Sequence, residues 1–185
     1  LLLAAGLGTR LQPITLTTPK CLVNICGKPM LQWWIEIFEK HGIDEILINL
    51  HHFPDIVYQF IKNNNSQIKF NTVYEPELLG SAGTLRKNQD FINEGEDFLI
   101  CYADNLTNCN LSELIDFHKK NIHPFTMTLF ESSRPKECGI VSLDDENTVV
   151  SFKEKPLKPE GNLANAGIYL SNQDLFQYIS GDGII

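Results

Sequence analysis

The sequence begins LLLAAGLGTRLQPITLTTPK, residues 1–20, and this stretch decides which fold class to expect. Residues 1–5 form an apolar run without polar alternation, which is typical of a short buried strand. Gly6 and Gly8 then allow a ligand to approach the backbone closely, and Arg10 adds a planar cationic side chain. Because α/β proteins bind phosphate groups with strands that end in such loops, the stretch predicts an α/β protein with a phosphate-binding loop.

Two better-known phosphate loops do not fit this stretch. The dinucleotide fingerprint G-x-G-x-x-G would need a third glycine where Leu11 stands, and the P-loop pattern G-x-x-x-x-G-K-[ST] does not occur. A tight turn with a solvated arginine is the simpler alternative. Residues 15–20 argue against that alternative, because they form a long irregular segment that ends in a second cation, Lys20. Long loops inside compact domains are usually functional.

The composition is that of an ordinary globular chain. Its 185 residues are 43% hydrophobic and 21% charged, which predicts one domain with a sizeable core. The net charge of −8 argues against a nucleic-acid partner and against binding to an anionic membrane. Five cysteines, an odd number, predict free thiols, and we therefore expect a reducing, cytoplasmic location. No apolar run approaches the length that spans a membrane.

Strand and helix patterns alternate over the first 130 residues, which predicts a mostly parallel sheet wrapped by helices. Strands are expected at 1–5, 45–50, 68–74, 97–102 and 125–130, and helices at 29–40, 54–62, 81–91 and 111–121. From residue 131 the chain is richer in strands, at 140–143, 149–153 and 164–170, with a helix at 173–179. We interpret this second part as a small β-rich lobe folded against the sheet.

Gly6, Glu75 and Asp104 each follow the end of a predicted strand. Ligands of open α/β sheets bind at the carboxyl ends of the strands, so these residues are expected to converge on one cleft. Asp104 is a candidate metal ligand there, because hard cations prefer carboxylate oxygens. The alternative for Asp104 is a turn or N-cap residue ahead of the helix at 111–121.

Four further motifs follow the opening G-L-G-T-R…P-K in order. They are YEPELLGSAGT at 74–84, YADN at 102–105, FKEKP at 152–156 and NAGIY at 165–169. Each motif alone is weak, but the ordered set resembles the sugar-1-phosphate nucleotidylyltransferases over residues 1–170. The resemblance implies a single three-layer, Rossmann-like α/β domain, with a nucleotide-binding part at 1–130 and a sugar-binding part at 131–185.

The resemblance also implies a reaction. A sugar 1-phosphate oxygen attacks the α-phosphorus of a nucleoside triphosphate, and pyrophosphate leaves. Because the attacking phosphate is ionised near neutral pH, the expected catalytic contributions are alignment and charge neutralisation by cations and Mg²⁺. In this family Arg10 would hold the phosphates, Lys20 would neutralise charge near the α-phosphate, and Asp104 would bind Mg²⁺.

The other site residues implied by the resemblance form two groups. Those expected to bind the nucleotide are Leu3, Ala4, Ala5, Gly6, Gly8, Thr9, Glu75, Gly80 and Ser81. Those expected to bind the sugar phosphate are Gly139, Glu154, Lys155 and Asn165. Glu154 and Asn165 would form hydrogen bonds with sugar hydroxyls, and Lys155 would meet the phosphate. The simpler interpretation of Glu154 and Lys155 is a solvated strand end.

One feature of the family has no match in the sequence. The family supplies a second metal-binding aspartate from a later strand, and no counterpart occurs before Ile185. We therefore expect either that the natural polypeptide extends beyond Ile185 or that the metal site is incomplete. Because Leu1 falls inside a predicted strand and is not a methionine, we also expect truncation at the amino terminus. The sequence does not indicate whether the protein is a monomer or an oligomer.

Glu75 bears on the choice of nucleotide. Many relatives that bind uridine or thymidine nucleotides have glutamine at this position, whereas a carboxylate only accepts hydrogen bonds. Guanine presents two adjacent donors, N1–H and the N2 amino group, which Glu75 could accept as a bidentate pair. We therefore expect GTP, with mannose 1-phosphate or a manno-configured heptose 1-phosphate as the acceptor by family analogy. A solvated strand-end charge is the alternative role for Glu75.

Three other functions stay open from the sequence. They are a dTTP- or UTP-dependent glucose-1-phosphate nucleotidylyltransferase, a phosphocholine-type cytidylyltransferase, and a non-catalytic regulatory subunit that binds nucleotide sugars. The presence of Arg10, Lys20 and Asp104 speaks against the regulatory subunit, whereas the missing aspartate keeps it open. The pair His51 and His52 is interpreted as the entry to the helix that follows.

Overall fold

The computed structural model describes residues 1–121 and 123–179. The strands in these ranges are β1 (Leu2–Leu3), β2 (Asn24–Ile25), β3 (Lys28–Pro29), β4 (Glu45–Leu50), β5 (Lys69–Tyr74), β6 (Phe98–Tyr102), β7 (Phe125–Glu131), β8 (Gly139–Leu143), β9 (Val149–Glu154) and β10 (Leu163–Ser171). The α-helices are α1 (Met30–Lys40), α2 (Pro54–Lys62), α3 (Gly80–Lys87) and α4 (Leu111–Lys120). Short 3-10 helices lie at Thr9–Leu11, Ile14–Leu16, Lys20–Leu22, Gln89–Phe91, Pro135–Glu137 and Gln173–Gln177.

One central sheet contains every strand except the small hairpin of β2 and β3. Its order is β5-β4-β1-β6-β10-β8-β9, and β7 also pairs with β10. The strands β5, β4, β1 and β6 are parallel to one another, whereas β10 is antiparallel to β6, β7 and β8. Consequently β7 and β8 point the same way as the four parallel strands, and only β9 and β10 oppose them. This confirms the expected mostly parallel sheet.

Strand β10 joins the two parts of the sheet. Its carboxyl-terminal half pairs with β6, as in the pair Ile168–Cys101, and its beginning pairs with β8 through Ala164 and Ile140. Strand β7 pairs with both halves of β10, across a register shift. The predicted β-rich lobe is therefore a continuation of the central sheet, and the irregular middle of β10 lies between β6 and β8.

Helices cover both faces of the sheet. In a strand, successive side chains point to opposite faces. Accordingly, Ile48 and Cys101 belong to a buried cluster that also contains side chains of α1, α2 and α4. Their neighbours Leu47 and Ile100 belong to a second cluster, which contains Leu85 of α3. This arrangement confirms the three-layer α/β fold.

Helix α1 illustrates how the sequence forms these elements. Pro29 precedes the helix, and Gly42, with φ of 71°, follows its end. Buried side chains recur at intervals of three and four, so one face of the helix lies on the sheet. These side chains are Leu31, Trp34, Ile35 and Phe38.

Strand β1 is shorter than expected. The run at 1–5 predicted a five-residue strand, but the strand covers Leu2–Leu3, and Leu1 before it still accepts a hydrogen bond from the Cys101 N–H of β6 at 2.9 Å. The cause is a side chain, because the backbone N–H of Ala4 donates to Oδ1 of Asn49 at 2.7 Å. The chain therefore leaves the sheet early and begins the glycine loop at the cleft.

Two predicted α-helices are also shorter or of another type. The helix expected at 81–91 ends at Lys87, where the side chain of Asn88 donates to the carbonyl of Thr84 at 2.8 Å, and a 3-10 helix follows. The segment at 173–179 contains the 3-10 helix Gln173–Gln177 in place of an α-helix.

Within 1–121 and 123–179, no helix has the length and apolar character needed to cross a membrane. The expected continuation beyond Ile185 lies outside the described residues.

Candidate active site

Two adjoining cavities open at the carboxyl ends of the parallel strands. The inner cavity, of about 240 Å³, contains among its lining residues Leu3, Ala4, Ala5, Gly6, Lys20, Glu75, Gly80, Ser81 and Asp104. The outer cavity, of about 720 Å³, is lined by the glycine loop, including Gly6, Gly8, Thr9 and Arg10, and again by Lys20 and Asp104. Gly6, Glu75 and Asp104 therefore converge on one cleft, as the strand-end argument predicted. Every residue expected to bind the nucleotide lines one of the two cavities.

The glycine loop is held in shape by contacts to Gly8. Its φ of 66° is in the left-handed region, and a Cβ there would lie 2.8 Å from Cγ2 of Thr15. Thr15 Oγ1 donates to the Gly8 carbonyl at 2.7 Å. His52 in turn contacts the Thr15 carbonyl through Nε2 at 2.9 Å. Glycine is thus required at position 8 by both backbone geometry and packing.

Lys20 and Asp104 lie where the two cavities meet. Nζ of Lys20 forms a salt bridge with Oδ2 of Asp104, and the side chains are 21% and 40% exposed. The pair therefore presents one cation and one carboxylate at the floor shared by both cavities. Such a pair is chemically suited to a polyanion and its metal ion, because the cation can bind phosphate and the carboxylate can bind a hard cation.

Glu75 is buried in the wall of the inner cavity, and its side chain is therefore not a solvated charge. Its Oε1 accepts a hydrogen bond from Thr84 Oγ1 at 2.5 Å and another from Asn49 Nδ2 at 3.1 Å. The backbone N–H of Leu79 approaches Oε2 at 3.4 Å. His51 fixes the backbone of this turn, because its Nδ1 lies 2.7 Å from the Glu75 carbonyl oxygen. A bidentate pair with a base would have to share Oε1 with Thr84 and Asn49.

Tyr102 connects the inner cavity to the β-rich part. Its hydroxyl lies 2.9 Å from Ser81 Oγ in the cavity wall. Its ring packs edge-on against the ring of Tyr169 in β10, with 6.0 Å between the two ring centroids. Gly167 permits this packing, because a Cβ there would lie 2.5 Å from Cδ2 of Tyr102. The side chain of Asn105, which follows β6, stabilises the contact with β10 by donating to the carbonyl of Ala166 at 2.7 Å.

The four residues expected to bind the sugar lie around β8, β9 and β10. Gly139 pairs with Glu154 across the two strands, and a Cβ on Gly139 would lie 2.9 Å from Glu154 Oε2. Lys155 Nζ contacts Glu154 Oε1 at 2.9 Å. Asn165 donates through Nδ2 to the hydroxyl of Tyr169 at 2.6 Å. Within the described part of the chain, none of the four expected residues lines the inner or the outer cavity.

Tyr169 is a residue of this region that the sequence argument did not single out. Burial raises the pKa of its hydroxyl well above the usual range, and the neighbouring Tyr102 hydroxyl adds to the increase, with a smaller addition from the charge of Glu154. The hydroxyl therefore keeps its proton at neutral pH. Asn165 donates to its oxygen, and the Tyr102 hydroxyl is a neighbour that can accept the Tyr169 proton. Tyr102 and Tyr169 together connect the inner cavity with the neighbourhood of Asn165 and Glu154.

Other residues missed by the sequence argument are Asn49 and Thr84, which line the inner cavity beside Glu75. Asn49 did carry a signal, since it is a polar residue in the otherwise apolar end of EILINL, residues 45–50. Thr84 carried none. His51 and His52 were assigned to a helix entry, whereas their side chains contact the carbonyls of Glu75 and Thr15.

Comparison with known proteins agrees with this geometry. The model of the family described as "Nucleotidyl transferase" matches residues 1–183. The chain belongs to the nucleotidyl transferase family. This result confirms the resemblance found from the motifs.

Curated relatives of this chain include proteins named as mannose-1-phosphate guanylyltransferases. "Mannose-1-phosphate guanylyltransferase 1" of Arabidopsis thaliana is 34% identical over 184 residues, which is 97% of this chain and 51% of the relative. "Mannose-1-phosphate guanyltransferase" of Saccharomyces cerevisiae is 31% identical over the same shares of the two chains. The chain thus spans about half the length of the curated relatives it matches.

Two solved structures are similar to this chain in fold. HddC from Yersinia pseudotuberculosis, complexed with GMP-PN, has a TM-score of 0.81 and 26% identity, and the match covers 98% of this chain and 79% of that one. An apo UDP-glucose pyrophosphorylase has a TM-score of 0.80 at 20% identity and covers 100% of this chain and 82% of its own. The second likeness supports the three-layer fold alone.

Proposed function

We propose that this chain forms the catalytic domain of a sugar-1-phosphate nucleotidylyltransferase that uses GTP. The acceptor is mannose 1-phosphate or a manno-configured heptose 1-phosphate, and the products are a GDP-sugar and pyrophosphate. The observation that carries the proposal is the position of Lys20 and Asp104, which line both adjoining cavities. The names of the curated relatives support the choice of GTP and of a manno-configured sugar.

In this reaction an oxygen of the sugar phosphate forms a bond to the α-phosphorus, and the bond from the α-phosphorus to the leaving pyrophosphate breaks. No side chain has to remove a proton, because the attacking phosphate is ionised at neutral pH. The chain contributes position and charge. The inner cavity would take the nucleoside, and the outer cavity, lined by Gly8 and Arg10, would take the β- and γ-phosphates. Lys20, at the junction, would neutralise charge at the reacting phosphorus.

Asp104 would hold Mg²⁺. One carboxylate at the junction fits the way nucleotide sites bind Mg²⁺, with one or two carboxylates and the substrate phosphates as ligands. When bound, the ion would neutralise phosphate charge. Residues 1–121 and 123–179 contain no cluster of three or more His, Cys, Asp or Glu side chains that could hold a metal by themselves. The substrate phosphates would therefore have to supply ligands at this site.

The sugar phosphate would bind between the junction and β8–β10. Glu154 and Asn165 would bind sugar hydroxyls, Lys155 would bind the sugar phosphate, and Gly139 leaves space for the Glu154 carboxylate. This arrangement supports a division of one domain into a nucleotide-binding part at 1–130 and a sugar-binding part at 131–185.

The cysteines at 21, 26, 101, 109 and 138 are free thiols, which supports the cytoplasmic location inferred from the sequence.

Pyrophosphate release by the full-length protein tests the proposal. GTP, dTTP, UTP, CTP and ATP are each combined with mannose 1-phosphate, a manno-configured heptose 1-phosphate, glucose 1-phosphate or phosphocholine, in the presence of Mg²⁺. The highest kcat/KM is expected for GTP with a manno-configured sugar phosphate. A preference for dTTP or UTP with glucose 1-phosphate, or for CTP with phosphocholine, would contradict it. Nucleotide-sugar binding without pyrophosphate release would indicate a regulatory subunit.

A further inference from the structure

Glu75 is part of a buried network that the proposed reaction does not use. The exposed fractions of Glu75, Thr84 and Asn49 are 1%, 1% and 5%. Thr84 Oγ1 lies 2.5 Å from Glu75 Oε1, and Asn49 Nδ2 lies 3.1 Å from both of these oxygens. Thr84 lies in α3, Glu75 directly follows β5, and Asn49 lies in β4. All three line the inner cavity.

One contact outside the trio sets the direction of every hydrogen bond in it. Asn49 Oδ1 accepts the backbone N–H of Ala4 at 2.7 Å, so Nδ2 of the same amide faces Glu75 and Thr84. Thr84 Oγ1 accepts from Asn49 and has one proton of its own, which it donates to Glu75 Oε1. Since Ala4 precedes the glycine loop, the network also ties Glu75 to the start of that loop.

The two oxygens of Glu75 are consequently different. Oε1 accepts two hydrogen bonds, and a carboxylate oxygen offers about two acceptor positions. Among the hydrogen bonds of the described residues, Oε2 takes part in a single one, from Leu79 N–H at 3.4 Å. That distance is longer than an ordinary N–H···O bond. Oε2 is therefore the oxygen with capacity to accept from a ligand in the inner cavity.

We propose that Thr84 and Asn49 are specificity-determining positioning residues, which hold Glu75 with Oε1 engaged and Oε2 available to the base. The inference rests on the proposed function and states how the choice of GTP is enforced. Guanine presents N1–H and the N2 amino group side by side, and Oε2 can accept both in one bifurcated contact that replaces the long contact to Leu79 N–H; this differs from the bidentate pair to both oxygens that the sequence suggested. Fixing the carboxylate in this way removes the rotations that would let Glu75 adapt to another base.

Other bases fit the fixed carboxylate less well. Uracil and thymine have one donor, N3–H, between two carbonyl oxygens, so one of these acceptors would approach the carboxylate. Cytosine and adenine have a ring-nitrogen lone pair beside the amino group, which places an acceptor against an acceptor. A site built for one hydrogen-bonding pattern rejects another by leaving buried polar groups unpaired.

The test compares kcat/KM for GTP and for UTP in full-length protein carrying Thr84→Val, Thr84→Ser, Glu75→Ala or both Glu75→Ala and Thr84→Val. Valine keeps the shape of threonine and lacks the donor, whereas serine keeps the donor. Thr84→Val is expected to lower the GTP-to-UTP ratio roughly tenfold or more, and Thr84→Ser to preserve it. In the Glu75→Ala background, Thr84→Val should change the ratio little, because its effect requires a carboxylate at position 75.

The outcomes separate this inference from the proposed function. A wild-type protein that prefers UTP overturns the proposed function and the inference with it. A wild-type protein that prefers GTP, with the same GTP-to-UTP ratio in Thr84→Val, overturns the inference alone. Equal effects of Thr84→Val in the presence and absence of Glu75 would also overturn it. Should thermal unfolding show that Thr84→Val is not folded, the dissociation constants of GTP and UTP are measured for Thr84→Ala instead. A weaker preference for GTP over UTP than in the wild-type protein supports the inference, and an unchanged preference overturns it.

Discussion

Lys20 and Asp104 form a salt bridge at the junction of the inner and outer cavities. A triphosphate that binds Lys20 and a metal ion that binds Asp104 would each compete with this pair. Binding of one would leave the other partner free, so the proposed nucleotide and metal sites are coupled through a single contact. The exposed pair itself adds less than about 1 kcal/mol to the stability of the fold, which allows its functional role to be tested by substitution.

The first prediction concerns Asp104. Asp104→Asn removes the negative charge and keeps the shape of the side chain, so we expect unchanged thermal unfolding and a loss of metal-dependent activity of roughly a hundredfold. Pyrophosphate release measured against Mg²⁺ concentration tests this. Glu36→Gln is a matched control, because Glu36 also pairs with a lysine and is similarly exposed, at 43% against 40% for Asp104. An unchanged metal dependence in Asp104→Asn would contradict the assignment.

The second prediction concerns Arg10 in the outer cavity. Arg10→Ala should lower kcat/KM for GTP roughly a hundred- to a thousandfold while the fold survives. Arg10→Lys should recover only part of the loss, since lysine has the charge without the planar fork that matches phosphate oxygens. Arg134→Ala serves as the control, because Arg134 is exposed and pairs with Glu137. Near-wild-type turnover by Arg10→Ala would refute a role in holding the phosphates.

Much of the fold was predictable because its signals are local. In EILINL at 45–50, four of the six residues are apolar and two of those are β-branched isoleucines, and β4 has the bounds that were expected. Helix α2 likewise begins at Pro54 and ends at Lys62, as its proline and its asparagine-rich end indicated. Strand β1 differed because a distant side chain, that of Asn49, takes the backbone N–H of Ala4. No local pattern could show that contact.

The candidate site was predictable where it follows from strand ends and motifs. Gly6, Glu75 and Asp104 do converge, because parallel strands bring their carboxyl ends to one edge. The network around Glu75 was not predictable, since Asn49 and Thr84 lie 26 residues before and nine residues after it. Nothing in either segment indicates that their side chains meet.

The third prediction separates two reasons for glycine at position 8. Gly8 has φ of 66°, and a Cβ would lie 2.8 Å from Thr15, whereas Gly95 has φ of 79° and open space around it. Gly95→Ala should therefore cost only the backbone strain, about 1–2 kcal/mol. Gly8→Ala should cost more and should also raise KM for GTP. Chemical denaturation and steady-state kinetics measure the two effects, and equal stability losses would show that the contact with Thr15 is not important.

The fourth prediction concerns the sugar end. A Cβ on Gly139 would lie 2.5 Å from Cζ of Phe152 and 2.9 Å from Oε2 of Glu154, so Gly139→Ala should displace the Glu154 carboxylate. We expect a higher KM for mannose 1-phosphate, by roughly tenfold, and little change in KM for GTP. Gly161→Ala is the control, because apart from the adjacent residues of the chain no atom lies within 4 Å of a Cβ at that position. A rise in the KM for GTP of the same size would show that Gly139 does not act on the sugar end.

The last prediction concerns Glu75→Gln, for which the surrounding donors decide how the new amide is oriented. Thr84 Oγ1 and Asn49 Nδ2 both donate toward Oε1, so the carbonyl oxygen of the glutamine must face them. Its amide nitrogen then takes the place of Oε2 and presents a donor, where the wild-type protein presents an acceptor. Guanine would meet this donor with its own N1–H and N2 donors, whereas uracil and thymine can offer a carbonyl oxygen. We expect kcat/KM for GTP to fall roughly a hundredfold and the preference to shift toward UTP or dTTP. Rates with the five nucleoside triphosphates, measured for both proteins at one concentration of mannose 1-phosphate, test the prediction. An unchanged preference for GTP in Glu75→Gln would mean that another group recognises the base.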